Sequence, residues 1–281
     1  MGMERIKTGV VGLGLIGSSI CLALRERMGI FPVGVECDQD TADKALKLGI
    51  VSDIVSLNEA AENCRFIILA VPVGKILELI EELSSVMCPG SYLTDVGSTK
   101  AQIVGKADLI LPEGINYLGG HPMAGSEKSG PDGARSDLFE KAPYVLTPTK
   151  KTNKKTIEFM KRFVKGIGAE PFYMSPEEHD EYIALISHVP HVIAGALVNS
   201  VHNNPKALEL AAGGFKDMTR IAMSNPIIWK DICISNKDNI KKGLNNIKAL
   251  IEKFEKSLDE GDEKKIMDFF ERASQTRGKI I

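Results

Sequence analysis

The chain has 281 residues, of which 43% are hydrophobic and 26% are charged, and its formal net charge is −2 at pH 7. These values are typical of a globular protein with one large or two modest domains, and they give no basic field that would favour a nucleic-acid or membrane partner. The five cysteines are scattered without a C-x-x-C pair, which predicts reduced thiols in a cytoplasmic protein.

The first motif along the chain is a glycine-rich loop that follows an apolar run over residues 6–11. Gly12, Gly14 and Gly17 have the G-x-G-x-x-G spacing, and a helix is predicted to follow them. The first glycine permits a tight turn, the second lets a pyrophosphate approach the backbone, and the third lets helix and strand pack closely. The loop therefore predicts a dinucleotide site, although glycines at this spacing also form purely structural turns in other α/β domains.

An acidic residue at the end of the second predicted strand indicates which dinucleotide is bound. Glu36 follows Gly17 by about 20 residues, the spacing at which a carboxylate reaches the adenosine ribose hydroxyls. A carboxylate there would repel a 2′-phosphate, and the next residue is Cys37 rather than an arginine. We therefore predict NAD in preference to NADP.

Residues 1–112 alternate between strand-like and helix-like segments, which predicts a parallel sheet wrapped by helices. The clearest buried strand begins at Phe66 and is ended by Pro72, and a later strand over residues 92–96 leads into a loop that contains Ser98. Ligands of such sheets bind beyond the carboxyl ends of the strands, so Val71, Pro72 and Ser98 are candidate cofactor contacts. Ser98 either caps the helix predicted to begin at about residue 100 or brings its hydroxyl near a bound nicotinamide.

A second dense motif surrounds His121, which lies between glycines and other small residues over positions 119–127. The histidine is either a hydrogen-bonded structural residue or part of a backbone shaped to fit a ligand. Three further elements are then predicted: a strand over residues 144–147, a helix over 153–166 and the last strand of the sheet over 170–174.

The composition changes at Ser175, which begins a capping box with proline at the first helical position. The helix is predicted to run to about residue 201 with a kink at Pro190, and its polar residues make it a poor membrane span. His188 and His191 share a face of this helix, but no third ligand lies nearby, so no metal site is predicted.

Beyond this helix the sequence predicts almost only helices. Asp217 and Arg220 lie three residues apart after a pair of glycines, and the single tryptophan is Trp229. Two amphipathic helices over residues 236–270 are predicted to break near Gly261. Their apolar stripe favours a core or a subunit interface, and it consists of Leu244, Ile247, Leu250, Ile251 and Phe254.

With these motifs in view, the chain resembles the prephenate/arogenate dehydrogenase family of tyrosine biosynthesis over nearly its whole length. The motifs that carry the resemblance are Gly-Leu-Gly-Leu-Ile-Gly-Ser-Ser at 12–19, Asp-Val-Gly-Ser-x-Lys at 95–100, Gly-Gly-His-Pro-Met-Ala-Gly-Ser-Glu at 119–127, Ser-His-x-Pro-His at 187–191 and Gly-Gly-Phe-Lys-Asp-x-Thr-Arg-Ile-Ala at 213–222. The first motif is shared by many dehydrogenases, whereas the third is highly specific. The resemblance implies an α/β N-terminal Rossmann-type dinucleotide-binding domain over residues 1–174. It also implies an all-α C-terminal dimerisation domain over residues 175–281, and hence a homodimer.

The resemblance also implies a reaction, the NAD-dependent oxidative decarboxylation of prephenate to 4-hydroxyphenylpyruvate and CO2. His121 would accept a hydrogen bond from the ring hydroxyl, Ser98 would hold His121 or the nicotinamide in register, and Arg220 would bind a substrate carboxylate. Glu127 and Asp217 would orient Arg220 or gate the pocket. The implied substrate contacts are Ser126, Glu127, His191, Gly213, Asp217, Arg220 and Trp229, and the cofactor contacts are Gly12, Gly14, Leu15, Ile16, Gly17, Glu36, Val71, Pro72 and Ser98.

Several alternatives stay open at this stage. Asp217 and Arg220 could form a surface pair, and Trp229 could belong to the core. The substrate could be arogenate, although the neutral or cationic side chain of His191 favours prephenate. A dehydrogenase of the β-hydroxy acid type usually needs a lysine in the helical domain, and residues 183–201 contain none. A non-catalytic NAD-binding regulator is the remaining alternative, and it would bind NAD without turnover.

Overall fold

The computed structural model describes residues 6–126 and 130–280. Its N-terminal part is built on a parallel sheet of five strands in the order β2-β1-β3-β4-β5, as the alternating sequence pattern predicts. The direction of strand addition reverses beside β1, which creates the switch point where such sheets bind ligands. The strands are β1 (Thr8–Val11), β2 (Val33–Val35), β3 (Phe66–Leu69), β4 (Tyr92–Asp95) and β5 (Asn116–Tyr117).

Helices cover both faces of this sheet and bury two separate apolar clusters. On one face Ile20 and Leu24 of the first helix pack with Phe66, and on the other Ile76 and Ile80 pack with Ile67. A continuous apolar strand is thereby buried on both sides, which is why β3 has no alternating pattern. The helices are α1 (Leu15–Met28), α2 (Gln39–Lys47), α3 (Leu57–Asn63), α4 (Val73–Ser84) and α5 (Ala101–Ile110).

A second sheet departs from the sequence prediction. The strands β6 (Gly119–Pro122), β7 (Pro143–Thr147) and β8 (Glu170–Tyr173) form a three-stranded sheet of their own, with α6 (Lys154–Gly166) between the last two. The prediction that residues 170–174 complete the first sheet is therefore wrong. Beside the first sheet, an isolated bridge joins Ile54 to Gly34.

A close approach at Gly120 explains how the second sheet lies against the first. A Cβ on Gly120 would stand 2.8 Å from the Tyr144 ring and 2.9 Å from the Asp95 carbonyl oxygen. Real side chains avoid such distances, so only glycine lets β6 pass between β4 and β7. The next residue is His121, which is therefore held at the carboxyl end of the main sheet.

The C-terminal region begins with the predicted capping box. The Ser175 side chain accepts from the Glu178 N–H, and the Glu178 carboxylate accepts from the Ser175 N–H. The helix α7 (Pro176–Ile183) continues through a wider π-helical segment, Ala184–His188, into α8 (Val189–Ser200). This irregularity lies just before Pro190, because proline lacks the N–H that a regular turn requires.

Five further α-helices follow in the described part of this region. The two amphipathic helices predicted over residues 236–270 are confirmed. The break near Gly261 separates a long helix from the last one, and Gly261 has a φ of +62°. In the predicted stripe Leu244 and Ile247 pack on the helical core, whereas Leu250 and Ile251 are exposed. The helices are α9 (Pro205–Glu209), α10 (Gly213–Thr219), α11 (Pro226–Ser235), α12 (Lys237–Asp259) and α13 (Glu263–Arg277).

One continuous helical stretch, Pro176–Ser200, is long and apolar enough to cross a membrane, with a mean hydropathy of 1.4. Only 28% of the 18-residue window to which this hydropathy belongs is buried. Helices that complete the core of an oligomer show the same combination of apolar composition and exposure.

Candidate active site

The glycine loop has the backbone that a dinucleotide requires. Gly12 has a φ of +90°, and a Cβ on it would lie 2.5 Å from the Ala70 carbonyl oxygen. A Cβ on Gly17 would lie 1.9 Å from the Gly12 carbonyl oxygen, so this helix and strand pack at contact distance. A Cβ on Gly14, by contrast, would meet no described atom within 4 Å. The open space at Gly14, beside the first turn of α1, fits a pyrophosphate.

Glu36 is held at the end of β2 by several backbone donors. Its Oε2 accepts from the Leu13 N–H at 2.8 Å, and its Oε1 accepts from the Cys37 and Asp38 N–H groups at 2.8 and 3.0 Å. The carboxylate therefore ties the second strand to the glycine loop. A negative charge fixed there suits ribose hydroxyls and opposes a 2′-phosphate.

The loop after β4 shows that Ser98 is not the cap of the helix that follows it. The helix α5 begins at Ala101 with Lys100 as its N-cap, so Ser98 does not cap it. The cap comes from the helical region instead, because the Asp180 carboxylate accepts from the Lys100 N–H at 2.7 Å and from the Ala101 N–H at 3.0 Å. Ser98 faces a cavity beside the carboxyl end of the sheet.

That cavity, of about 270 Å3, lies between the two sheets' ends and the helical region. It brings together three of the candidate residues, Ser98, His121 and Trp229, which come from three separate parts of the sequence. A volume of this size suits a single small ring compound. The full lining is Ser98, His121, Pro122, Met123, Ala124, Gly125, Ser187, His188, Trp229 and Ile232.

His121 belongs to a chain of hydrogen-bonding side chains. Its Nδ1 lies 2.8 Å from Nε2 of His179, and Nδ1 of His179 lies 2.8 Å from Oδ1 of Asp180. Burial lowers the pKa of His121 well below 6.5, and repulsion from His179, Lys100 and His188 lowers it further. Burial also lowers the pKa of His179, although the hydrogen bond to Asp180 opposes that shift. Both rings are therefore neutral at pH 7.

A buried ion pair supports the strand that carries His121. Lys100 is fully buried and its Nζ donates to the Asp95 carboxylate and, at 2.7 Å, to the Gly120 carbonyl oxygen. Asp95 also accepts from the Tyr117 hydroxyl at 2.7 Å and from the Gly97 N–H at 2.8 Å. Breaking a buried pair by removing one partner costs about 3–5 kcal/mol, so this cluster fixes Gly120 and hence its neighbour in the sequence.

His188 and His191 occupy different positions in the site and do not form a metal pair. His188 is buried, its Nδ1 lies 3.2 Å from Nδ2 of Asn236, and its Nε2 has no hydrogen-bond partner among the described residues. Burial lowers the pKa of His188 to about 4. His191 stacks on Trp229 with ring centroids 3.4 Å apart. Within residues 6–126 and 130–280, no group of three possible metal ligands occurs.

Arg220 and its neighbours lie apart from the cavity lining. Arg220 begins a 3-10 turn, Arg220–Met223, after α10, and it is exposed together with Asp217 and Gly213. Both α10 and this turn pack against α8, the helix that carries His191. Ser126 is exposed at the end of the β6 loop. Glu127, the remaining candidate, lies outside the described residues.

The sequence analysis missed His179 and Asp180, which complete the chain of contacts to His121. Both lie in the first turns of α7 and are buried, at 0% and 2% exposure. A histidine and an aspartate buried together on a helix that begins with a capping box are unusual, since such residues are rarely buried without partners. In the sequence, the visible signal is that His179 and Asp180 are adjacent on a predicted helix. This adjacency does not reveal a partner 58 residues away.

A Rossmann sheet with an open glycine loop, and a cavity shared with a helical region, define a two-domain dinucleotide-dependent dehydrogenase. Residues 20–173 match the family described as prephenate dehydrogenase, nucleotide-binding domain, and residues 175–272 match prephenate dehydrogenase, dimerization domain. The chain therefore belongs to the prephenate dehydrogenase family, and the resemblance inferred from the motifs is confirmed.

Individual relatives agree with this assignment. The chain is 41% identical to the prephenate dehydrogenase of Bacillus subtilis (strain 168) over 284 residues, which cover 98% of this chain and 76% of that protein. The crystal structure of prephenate dehydrogenase from A. aeolicus in complex with hydroxyphenyl propionate and NAD+ matches with a TM-score of 0.93 and 32% identity, covering 100% of both chains. The Synechocystis arogenate dehydrogenase structure matches with a TM-score of 0.83 and 29% identity, covering 98% of this chain and 100% of that one.

Proposed function

We propose that this protein catalyses the NAD-dependent oxidative decarboxylation of prephenate, giving 4-hydroxyphenylpyruvate and CO2. The observation that carries this proposal is the neutral imidazole of His121 in a cavity that Ser98 also lines, beside an NAD-type glycine loop. The cofactor is NAD, in keeping with Glu36 at the end of β2. The glycine loop and Glu36 would hold NAD+, which would supply the acceptor for the hydride on the ring carbon that bears the hydroxyl.

His121 supplies the general-base contribution. A neutral imidazole accepts a hydrogen bond from the substrate hydroxyl and draws its proton, which raises the electron density on the carbon that must release hydride. The ring carboxylate then leaves as CO2, and its bonding electrons complete the aromatic ring. The proton that His121 draws from the hydroxyl returns to the phenolic oxygen as the ring becomes aromatic, so the step needs no external acid.

The other candidate residues bind and orient the substrate. The hydroxyl of Ser98 keeps the substrate hydroxyl and His121 in register. Arg220 binds a substrate carboxylate, for which its planar guanidinium suits a bidentate pair worth about 1.5–3 kcal/mol per charged hydrogen bond. By their places in the motifs, Asp217 and Glu127 would orient Arg220 or gate the pocket, and Ser126 and Gly213 would contact the substrate. His191 and Trp229, which stack on each other, form its aromatic wall.

Prephenate is favoured over arogenate because the two acidic residues proposed for the site, Asp217 and Glu127, are assigned to Arg220 and leave no carboxylate to pair with an ammonium. Arogenate differs by an ammonium in place of a keto group, and recognition of a buried ammonium requires a carboxylate or several acceptors. The described lining residues include no aspartate or glutamate. Arogenate remains the alternative substrate.

The partner we propose is a second copy of this chain, bound through the helical region. Residues 175–272 match a dimerization domain, and large apolar side chains such as Leu185, Ile186 and Phe270 are exposed in the single chain. The α12–α13 hairpin also encloses an apolar cavity of about 820 Å3 that includes Phe254 and Phe269. A cytoplasmic location, without nucleic acid or membrane as partner, accords with the charge and the thiols.

A substrate comparison tests this function. Purified protein is incubated with NAD+ and either prephenate or arogenate, and absorbance at 340 nm is followed while the aromatic product is identified by chromatography. We expect kcat/KM for prephenate to exceed that for arogenate by at least tenfold. A larger value for arogenate would reassign the substrate, and no turnover with either compound would refute the proposed reaction.

A further inference from the structure

The ring nitrogens of His121 are not equivalent, and the reaction proposed above needs a particular one to be unprotonated. A neutral imidazole carries one proton, so one nitrogen donates a hydrogen bond and the other accepts. Nδ1 of His121 faces His179, which leaves Nε2 for the cavity that His121 lines. His121 can accept the substrate hydroxyl only if its proton resides on Nδ1.

Asp180 determines where the protons lie in this chain of contacts. Its carboxylate accepts the Lys100 N–H and the Ala101 N–H, and an ionised carboxylate only accepts hydrogen bonds. Nδ1 of His179, at 2.8 Å from Oδ1 of Asp180, must therefore carry a hydrogen and donate it.

The proton position on His179 in turn determines the proton position on His121. His179 is completely buried and neutral, so its Nε2 has a lone pair once Nδ1 is protonated. That lone pair lies 2.8 Å from Nδ1 of His121 and accepts its hydrogen. The unprotonated nitrogen of His121 is then Nε2.

We propose that Asp180, acting through His179, holds His121 in the tautomer whose Nε2 accepts the substrate hydroxyl, so that His179 and Asp180 are positioning residues for this reaction. The proposal rests on the function proposed above. It also gives the helical region a role in the chemistry, because α7 sets the proton position on a residue of β6.

A backbone contact makes this arrangement rigid. Asp180 caps α5 through two N–H donors, and its own carbonyl oxygen accepts from Nδ2 of Asn236 at 2.7 Å. Asp180 is thus held at α5 through its carboxylate and at Asn236 through its backbone carbonyl, which fixes the position from which it orients His179. An orienting carboxylate behind a catalytic imidazole has the same effect on tautomer choice in other enzymes.

The first experiment reads the tautomers directly. The protein has five histidines, so 15N-histidine labelling with long-range 1H–15N spectra resolves each ring, and single substitutions assign them. We expect the Nδ1–H form for both His121 and His179 at pH 7. An Nε2–H form or a doubly protonated ring at His121 would overturn the proposal.

The second experiment compares two substitutions of His179. His179→Gln keeps an acceptor oxygen where Nε2 lies, whereas His179→Leu has similar size and no acceptor. We expect kcat with prephenate to fall about 100-fold or more in His179→Leu, within the usual range for loss of general-base assistance. His179→Gln should remain within about tenfold of the unsubstituted protein, and the Kd for NAD+ should change in neither. The exposed His202 gives the matched control, His202→Leu, for which we expect unchanged kcat.

A third variant separates the two roles of Asp180. In Asp180→Ala we expect both tautomers of His179 to be populated and kcat to fall, in addition to any loss of thermal stability from the missing cap. A variant that loses stability but keeps the Nδ1–H form of His179 would confine Asp180 to capping and overturn the proposal.

These outcomes also distinguish the positioning role of His179 and Asp180 from the proposed function. If the unsubstituted protein does not turn over either substrate, the function is refuted and the spectra still decide the tautomers. If turnover occurs and His179→Leu retains full activity, the function stands and the positioning role is refuted. If His179→Leu does not fold, the spectra and the glutamine variant still give a result.

Discussion

The α/β region and the helical region of this protein differ in how they bury their apolar side chains. In the first, both faces of the sheet are covered and residues such as Ile20, Phe66 and Ile76 are at most 1% exposed. In the second, the core cluster is small, and most of the large exposed apolar side chains of the described residues lie there. The α/β region is thus complete in one chain, whereas the helical region has the surface of a subunit that needs a partner.

The site combines the two regions in a similarly unequal way. The α/β region contributes the cofactor loop, Ser98 and His121, which are the groups expected to touch the reacting atoms. The helical region contributes groups that bind or position, among them His179, Asp180 and Arg220. We therefore expect substitution of His121 to lower kcat most, substitution of His179 or Asp180 to lower kcat through His121, and substitution of the other helical-region residues to act on binding or assembly.

The largest effect is expected for His121. In His121→Asn the acceptor for the substrate hydroxyl is lost, and we expect kcat to fall by about 10²–10⁴-fold. The Kd for NAD+, measured by fluorescence titration, should change less than twofold because the glycine loop is intact. A variant with unchanged kcat would show that His121 is only a structural residue.

The second prediction concerns pH and the buried histidines. The pKa of His188 is lowered to about 4, below the ordinary 6.5, so the unfolded chain binds the proton more readily. Stability from this group is fully present above pH 6.5 and is lost as pH falls towards 4, by about 3 kcal/mol. His121 and His179 add to the loss in the same direction.

This pH effect is measured by urea unfolding between pH 7.5 and 4.5. His188→Leu should flatten the dependence, while His202→Leu, at an exposed site, should leave it unchanged. An unfolding free energy that stays constant or rises as the pH falls would contradict the assignment of neutral buried rings.

The third prediction concerns Arg220. In Arg220→Gln we expect KM for prephenate to rise about 10- to 100-fold with a smaller change in kcat, because a charged hydrogen bond to a carboxylate is worth about 1.5–3 kcal/mol. Steady-state kinetics at saturating NAD+ measures both constants. An effect on kcat as large as that of His121→Asn would show that Arg220 acts in the chemical step and not mainly in substrate binding.

The smallest effect on chemistry is expected from a pair of surface substitutions. Ile186, 68% exposed in the helical region, and Leu109, 82% exposed on α5, are each replaced by glutamate. Light scattering should show dissociation of the dimer for Ile186→Glu and an unchanged dimer for Leu109→Glu. Equal behaviour of the two variants would show that the helical surface is not the interface.

The sequence predicts much of the α/β region and the start of the helical region because the signals there are local. The glycine loop, the buried strand from Phe66 and the capping box at Ser175 each depend on neighbouring residues, and the structure confirms them. The separate second sheet was not predicted, because β6 leaves the first sheet through the close packing of Gly120 against Tyr144, a contact between distant residues.

In the site, too, the local signals could be predicted from the sequence and the contacts between distant residues could not. His121 and the glycines stand out in the sequence, but for the cap of α5 local spacing offers only Ser98, as one of two alternatives, whereas the structure shows Asp180. A cap supplied from a residue 80 positions away leaves no trace in local spacing. The contact between His179 and His121 was not predicted for the same reason, since the two residues are 58 positions apart.

The most direct test of the account is a crystal structure of the protein with NAD+ and 4-hydroxyphenylpyruvate. We expect the 4-hydroxyl within hydrogen-bond distance of Nε2 of His121, about 2.6–3.2 Å, and the guanidinium of Arg220 on a carboxylate of the ligand. A ligand whose hydroxyl lies away from His121, or an Arg220 that faces away from the cavity in the assembled dimer, would contradict it.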